Sequence, residues 1–290
     1  MKKIYLLTTE HLENGLWFRD EEDFKAAMNY VAIEAARYRD VAVLAFVLMS
    51  NHLHFVLQGH RERVISFINN LKHRYGIYYR RKYGVKHSLK RNGLDIRSIP
   101  YNDEAIEKAI AYVIMNPVAA GICAHPSQYP WGSGALYFSQ AAQTGTPLSG
   151  LSIRALKRIT RSDEESLPGE WHIGTDGYIL PINYIDVKGV EAIYRRPQRM
   201  NYFLNNSSKA KKRLEYSDEK MPAFRDQSVL AALPDLCRSL FQKEHFYQLQ
   251  AQEKSEFARQ IRFRFSADAT QIARVCGVTY EEAAHLLDSL

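Results

Sequence analysis

The amino-acid sequence predicts an α+β fold: a ferredoxin-like (RRM-like) antiparallel sheet with helices on one face, then a mainly helical C-terminal region ending in a helix-turn-helix-like hairpin. Three observations predict it. Strand and helix signals alternate as β-α-β-β-α-β-α through about the first 135 residues. The apolar run Val41–Met49 is followed, after the turn-forming Ser50-Asn51, by a returning run from His52 to Leu57. From Ser228 to Phe265 the pattern is mostly helical.

The elements follow in order. Ile4-Tyr5-Leu6-Leu7 is a short strand. Asp20-Glu21-Glu22-Asp23 opens a helix running to Arg39, with acids in the first turn and Phe24, Ala27, Met28, Val31 and Ala35 at helical spacing. Val41–Met49 and His52–Leu57 are strands, Val64–Tyr83 is a long helix, and Asp95–Ile99 is a short strand stopped by Pro100. Asp103–Met115 is a helix ended at Asn116-Pro117, because proline disfavours helical backbone in the residue before it. Ala142–Gly150 reads as a linker, and Gly177–Pro181 and Tyr184–Val187 as short extended pieces. A break is expected at Pro234. Ala269–Val275, a Cys276-Gly277-Val278 turn and a helix capped by Thr279 complete a hairpin over 269–290. This divides the chain into a catalytic unit, 1–138, and an accessory, mostly helical region, 151–290.

Composition narrows the function classes. The chain has 290 residues, 46% hydrophobic and 24% charged, enough for one large core or two ordinary ones. The apolar stretch after Met1-Lys2-Lys3 stops at Thr8-Thr9-Glu10, too short for a signal peptide, and no run is long enough to span a bilayer. Cys123, Cys237 and Cys276 are few and widely spaced, which argues against a disulfide framework and for a cytoplasmic location without membrane attachment. The net charge of +7 suits a polyanionic partner. No glycine-rich phosphate loop, nucleophile elbow or HExxH motif is present.

Two motifs carry chemistry. In Ser50-Asn51-His52-Leu53-His54 the period of two puts both imidazoles on one face and Leu53 on the other. Such a pair can ligate one divalent metal, or be two half-buried histidines of a sheet. In Tyr112-Val113-Ile114-Met115-Asn116-Pro117, Tyr112 and Asn116 stack one turn apart, off the apolar stripe of Ile106, Ile110 and Val113.

Together with Tyr129-Pro130-Trp131-Gly132-Ser133, these motifs resemble the single-tyrosine HUH transposases, in particular the REP-associated tyrosine transposases and their insertion-sequence relatives, over roughly residues 3–138. The family often has proline where Ser50 stands, and Ser88–Ser98 departs from its pattern. The resemblance implies that His52, His54 and Asn116 hold Mg²⁺ or Mn²⁺ and that Tyr112 is the nucleophile, forming a 5′-phosphotyrosine. A phenol of pKa about 10 needs help to lose its proton. The metal or Lys108, one turn before Tyr112, could supply it; a solvated surface lysine is the alternative at that position. The implied activity is a transposase, a single-strand DNA endonuclease that cuts and rejoins a hairpin or palindromic repeat, as monomer or homodimer.

A third signal concerns DNA. No acidic residue occurs from Arg63 to Leu94, while Lys72, Arg74, Arg80, Arg81, Lys82, Lys86, Lys90 and Arg91 alternate with Tyr75, Tyr78, Tyr79 and Tyr83. Cations for phosphates and rings for unstacked bases are what a single-strand groove requires, although a charge run is also a common solvated face. Arg195, Arg196, Arg199, Lys209, Lys211, Lys212 and Arg213 form a second basic block, suited to backbone contacts or an exposed loop. In the terminal hairpin, Glu281, Glu282 and Asp288 oppose DNA contact, while Arg262, Arg264 and Arg274 favour it. The competing reading is a domesticated, non-catalytic DNA-binding protein.

Overall fold

The fold is that of a computed structural model describing residues 2–9, 16–84, 93–139, 144–163, 167–207, 226–265, 267 and 269–288. Strand β1 (Lys3–Thr9) leads to helix α1 (Glu21–Arg37), strands β2 (Ala42–Met49) and β3 (His52–Gly59), helix α2 (Arg61–Tyr83), strand β4 (Leu94–Ile99) and helix α3 (Asp103–Ile114). The four strands form one sheet in the order β2-β3-β1-β4, with every neighbouring pair antiparallel. This is the predicted ferredoxin-like order.

Local chemistry sets the ends. The Asp20 carboxylate accepts the Asp23 amide at 3.0 Å and caps α1, as the acidic first turn predicts. Gly84 ends α2 at φ +65°, a left-handed conformation that glycine adopts without a Cβ penalty. Asn102 caps α3 through Ala105 N–H at 2.8 Å. Helix α3 stops at Ile114, and a short helix α4 (Asn116–Ala119) starts afresh with proline in its first turn.

The two faces of the sheet are used differently. Phe55 packs edge-on against Phe67 of α2, so α2, and α1 packed beside it, cover the face of Leu53 and Phe55. The His54 ring meets Tyr112 of α3, so α3 lies on the opposite face. The expected one-sided helix layer thus holds for α1 and α2, and α3 adds a second layer over the histidines.

The Tyr129–Ser133 motif closes the outer edge of β2. Leu48 N–H donates to Trp131 O at 2.9 Å, Ser133 N–H to Phe46 O at 3.0 Å and Tyr129 Oη to Leu48 O at 2.7 Å. At Gly132 a Cβ would sit 2.8 Å from Phe46 O, which is why glycine is needed for this approach.

Residues beyond 144 continue the same core before a second one begins. Strand β5 (Thr146–Pro147) pairs with β6 (His172–Ile173), so the described part of the expected linker is structured. Helices α5 (Ile153–Thr160), α6 (Val187–Tyr194) and α7 (Pro197–Asn205) follow, and Leu148, Ile179, Val190, Tyr194 and Leu204 join the core of the sheet. The last helices, α8 (Asp226–Phe241), α9 (Ala251–Phe265), α10 (Ala269–Cys276) and α11 (Tyr280–Asp288), bury a separate cluster around Phe257, Ile261 and Ile272, which also takes in Leu16. Helix α8 runs unbroken through Pro234, contrary to the predicted break. The terminal hairpin forms as predicted: Gly277 turns at φ +68°, and Thr279 and Glu282 bond reciprocally as a capping box.

Candidate metal and nucleophile centre

The register builds a row across one sheet face. His54 on β3 lies opposite Val47 on β2 and Thr8 on β1, and Thr8 lies opposite Asp95 on β4. Directly opposed residues share a face, so His52, His54, Thr8, Asp95 and, one pleat on, Arg97 point to the same side. The Nε2 atoms of His52 and His54 converge to 2.8 Å, with the rings edge to face.

Each imidazole is held at its other nitrogen. His52 Nδ1 lies 2.7 Å from Asn51 Oδ1, and His54 Nδ1 lies 2.9 Å from Thr8 Oγ1. With the Asn51 oxygen as acceptor, the tautomer that carries its proton on Nδ1 presents a lone pair at Nε2. Thr8 can donate or accept. If it donates, the second Nε2 holds a proton shared with the first; if it accepts, two lone pairs face one point, and a cation must lie there to make the pair favourable. The donor set therefore fits a divalent metal. Among the described residues no third histidine, cysteine or carboxylate completes a group with them.

Tyr112 is half-buried on α3, its ring centroid 5.8 Å from that of His54. Burial pushes its phenol up; nearby Arg97 pulls it down and Asp95 opposes Arg97. Asn116 is buried one turn further on, and its amide nitrogen donates to the carbonyls of Tyr112 at 2.9 Å and Val113 at 3.1 Å. That fixes the side chain through its nitrogen and leaves Oδ1 as its acceptor end. Lys108 pairs with Glu104 at 2.5 Å on an exposed face, and Arg97, the cation nearer in effect to the phenol, is itself paired with Asp95 at 2.7 Å.

The turn before His52 is held from two sides. Ser50 O accepts the amides of Trp17 and Phe18 at 2.8 and 3.1 Å, and Ser50 Oγ donates to the Arg264 carbonyl at the end of α9. That carbonyl has no intrahelical donor, so the bond caps α9 and ties the last helices to the histidine turn.

The α2 residues read as a DNA groove divide. Lys72 and Tyr75 are buried, and Tyr75 Oη donates to Trp17 O, so neither is presented to a partner. Tyr79 donates to Leu16 O at 3.0 Å and accepts from Arg19 at 2.9 Å. Tyr78 and Tyr83 bond Asp23 at 2.9 and 2.7 Å, and Lys82 pairs with Asp20 and Asp23 at 2.6 and 2.7 Å. Arg74 pairs with buried Glu34 at 2.7 Å. The tyrosines thus seal α2 to α1 and to the 16–19 segment. Arg81 is exposed, and Arg80 is partly so. Arg74, Arg81 and Lys82, with Tyr30, Tyr78 and Arg161, line a cavity of about 700 Å³ on the helix layer across the sheet from His52 and His54. Lys86, Lys90 and Arg91 lie outside the described residues.

Thr8, Asn51 and Arg97 were not expected from the sequence. Asn51 beside the HxH was in plain view, whereas Thr8 and Arg97 emerge from the strand register.

Fold and site together define an α+β protein that presents a histidine pair and a phenol on one sheet face. Residues 17–94 match the family described as Transposase IS200 like, which bears out the transposase resemblance over that stretch; the match includes His52 and His54 and ends before Tyr112. A solved REP-associated tyrosine transposase bound to a REP hairpin is similar to this chain at 15% identity, over 45% of this chain and 76% of that one, with a TM-score of 0.37. No curated protein matches the chain. No helix among the described residues is long and apolar enough to cross a membrane.

Proposed function

We propose that the protein is a metal-dependent DNA transposase and single-strand endonuclease in which Tyr112 is the nucleophile and His52, His54 and Asn116 hold Mg²⁺ or Mn²⁺. The observation that carries this reading is the convergence of both Nε2 atoms at 2.8 Å beside the Tyr112 ring. The family match over residues 17–94 supports the DNA-transposase class.

When bound, the metal supplies Lewis-acid polarisation of a phosphate oxygen. The chain does the rest. Asn51 and Thr8 hold the imidazoles in place. Arg97 favours the phenolate. The Tyr112 oxygen attacks phosphorus, an O–P bond forms to the 5′ side, and the P–O3′ bond breaks. The 3′ oxygen leaves and takes up a proton, while the phenol proton goes to solvent. The phosphotyrosine preserves a phosphodiester for rejoining, so the reverse attack by a 3′-hydroxyl closes the strand.

The DNA is read as a single-stranded hairpin or palindromic repeat, with Arg80 and Arg81 of α2 proposed as phosphate contacts. Lys86, Lys90 and Arg91 complete that proposed set. Residues 1–138 are proposed as the catalytic unit, and 151–290 as accessory.

Full-length protein incubated with Mn²⁺ and a labelled single-stranded hairpin tests the reading on a denaturing gel. A labelled species migrating with the protein is expected, and chelation should remove it. Hairpin binding that survives chelation, with no covalent species on any strand, would establish the non-catalytic DNA-binding alternative instead.

A further inference from the structure

We infer that residues 185–205 are a strap that positions the nucleophile helix, with Glu107, Tyr194 and Arg199 as its positioning residues; this rests on the reading of Tyr112 as nucleophile. Helix α3 meets the sheet through an apolar stripe, with Ile106, Ile110 and Val113 buried. Apolar contact is non-directional, so it resists lifting the helix far better than it resists sliding or rotation. Directional bonds come from the strap.

Glu107 is fully buried on α3, and both its carboxylate oxygens bond Arg199 of α7, the Nη2–Oε2 contact being 2.7 Å. Tyr194, itself fully buried at the end of α6, donates to the Glu107 carbonyl at 2.6 Å. Arg195 adds a pair with Asp103 at 3.0 Å in the first turn of α3. At its other end the strap rides on the sheet. Ile185 bridges Val43 in parallel, and Asp186 N–H donates to Val43 O at 3.0 Å. Asp186 then caps α6 through Gly189 N–H at 3.0 Å.

Strand β2 is therefore connected to α3 by a route separate from the apolar stripe. Glu107 and Tyr112 are five residues apart, about 140° around the helix. The strap grips α3 from the side away from the site and leaves the phenol facing His54. This also gives Arg195 and Arg199 of the basic block carboxylate partners within the fold. The strap lies outside the stretch that matches the transposase family.

The test uses the full chain. Arg199→Ala alone strands a buried carboxylate and endangers folding, so the informative variant is Glu107→Gln with Arg199→Ala, and Tyr194→Phe is a second. Three readouts are taken: hydrogen exchange of the α3 amides, the His54–Tyr112 ring contact by NMR, and the rate of covalent DNA adduct formation at saturating hairpin. Loss of the strap should speed α3 exchange about tenfold and weaken the ring contact. It should slow adduct formation about tenfold to a hundredfold, with the hairpin concentration for half-maximal rate unchanged. Arg199→Lys should restore part of the rate. Unchanged α3 protection and ring contact in both variants would overturn the inference. Faster exchange and a weakened ring contact in the variants, with no adduct formed by the wild type either, would support the strap and count against the nucleophile assignment.

Discussion

His54 is supported from across the strand by Thr8, whose Oγ1 lies 2.9 Å from Nδ1, while Nε2 stands 2.8 Å from that of His52. One nitrogen of the ring is tied to the scaffold and the other is aimed at the shared point. Such outer partners of metal-binding histidines typically matter by about tenfold to a hundredfold in affinity. Thr8→Val should therefore weaken Mn²⁺ binding about tenfold in calorimetry, and His52→Ala should abolish it. Equal affinity in Thr8→Val would show that the imidazole needs no cross-strand support.

The phenol of Tyr112 is pushed up by burial, and Arg97 partly offsets this. Below its pKa the phenolate fraction rises about tenfold per pH unit. With the folded value above the ordinary phenol range, adduct formation should keep climbing with pH to at least about pH 9. Arg97→Ala removes a favourable charge and raises the phenol further. Because Arg97 is exposed and its field screened, the expected loss is modest, about threefold at fixed pH. Lys108→Ala should have no effect, since the charges that bear on the phenol are those of Arg97 and its partner Asp95 and not that of Lys108, which is paired with Glu104. A loss in Lys108→Ala matching that of Arg97→Ala would reverse the assignment.

Helix α2 offers a contrast between a buried ring and an exposed cation. Tyr75→Phe removes a buried bond to Trp17 O and should cost about 1 kcal/mol of stability, with hairpin affinity unchanged. Arg81→Ala should leave stability near wild type and reduce the slope of log affinity against log salt by about one. Fluorescence anisotropy over a salt series, alongside thermal melts, separates the two. A large affinity loss in Tyr75→Phe would restore the ring to the DNA.

The seam at the start of α1 responds to acid. Burial alone would raise the Asp20 carboxyl, but its bond to Lys82, the attraction of that ammonium and the Asp23 amide outweigh burial and hold it below 3.8. A carboxylate with a depressed folded value stabilises fully above its unfolded pKa, about 3.9, and loses that contribution as pH falls through the folded one. Wild-type stability should therefore fall more steeply than that of Asp20→Asn below about pH 4, in denaturant melts at several pH values. Parallel profiles would show that the Asp20–Lys82 pair adds nothing.

Much of this was legible in the sequence because it is periodic. The strand order, the shared face of His52 and His54, the cap of α1 and the terminal hairpin all follow from spacing and turn chemistry. What escaped depends on which segments meet. Tyr75 and Tyr79 look like a stacking platform until the 16–19 segment is seen bonded to their hydroxyls. Arg97 sits on a short strand whose register alone brings it to the face of Tyr112. Residues 185–205 form two short helices that the sequence pattern does not single out, and their anchoring of α3 becomes visible when buried Glu107 meets Arg199. Pro234 illustrates the opposite case, a strong local breaker overridden within a packed helix.

The proposed chemistry stands or falls on the Tyr112 oxygen making the bond to DNA. Digesting the protein–hairpin species and mapping the modified peptide by mass spectrometry tests it directly. A nucleotide 5′-phosphate on Tyr112 and no covalent species in Tyr112→Phe are expected. The same modification on another tyrosine, or an undiminished yield in Tyr112→Phe, would contradict it.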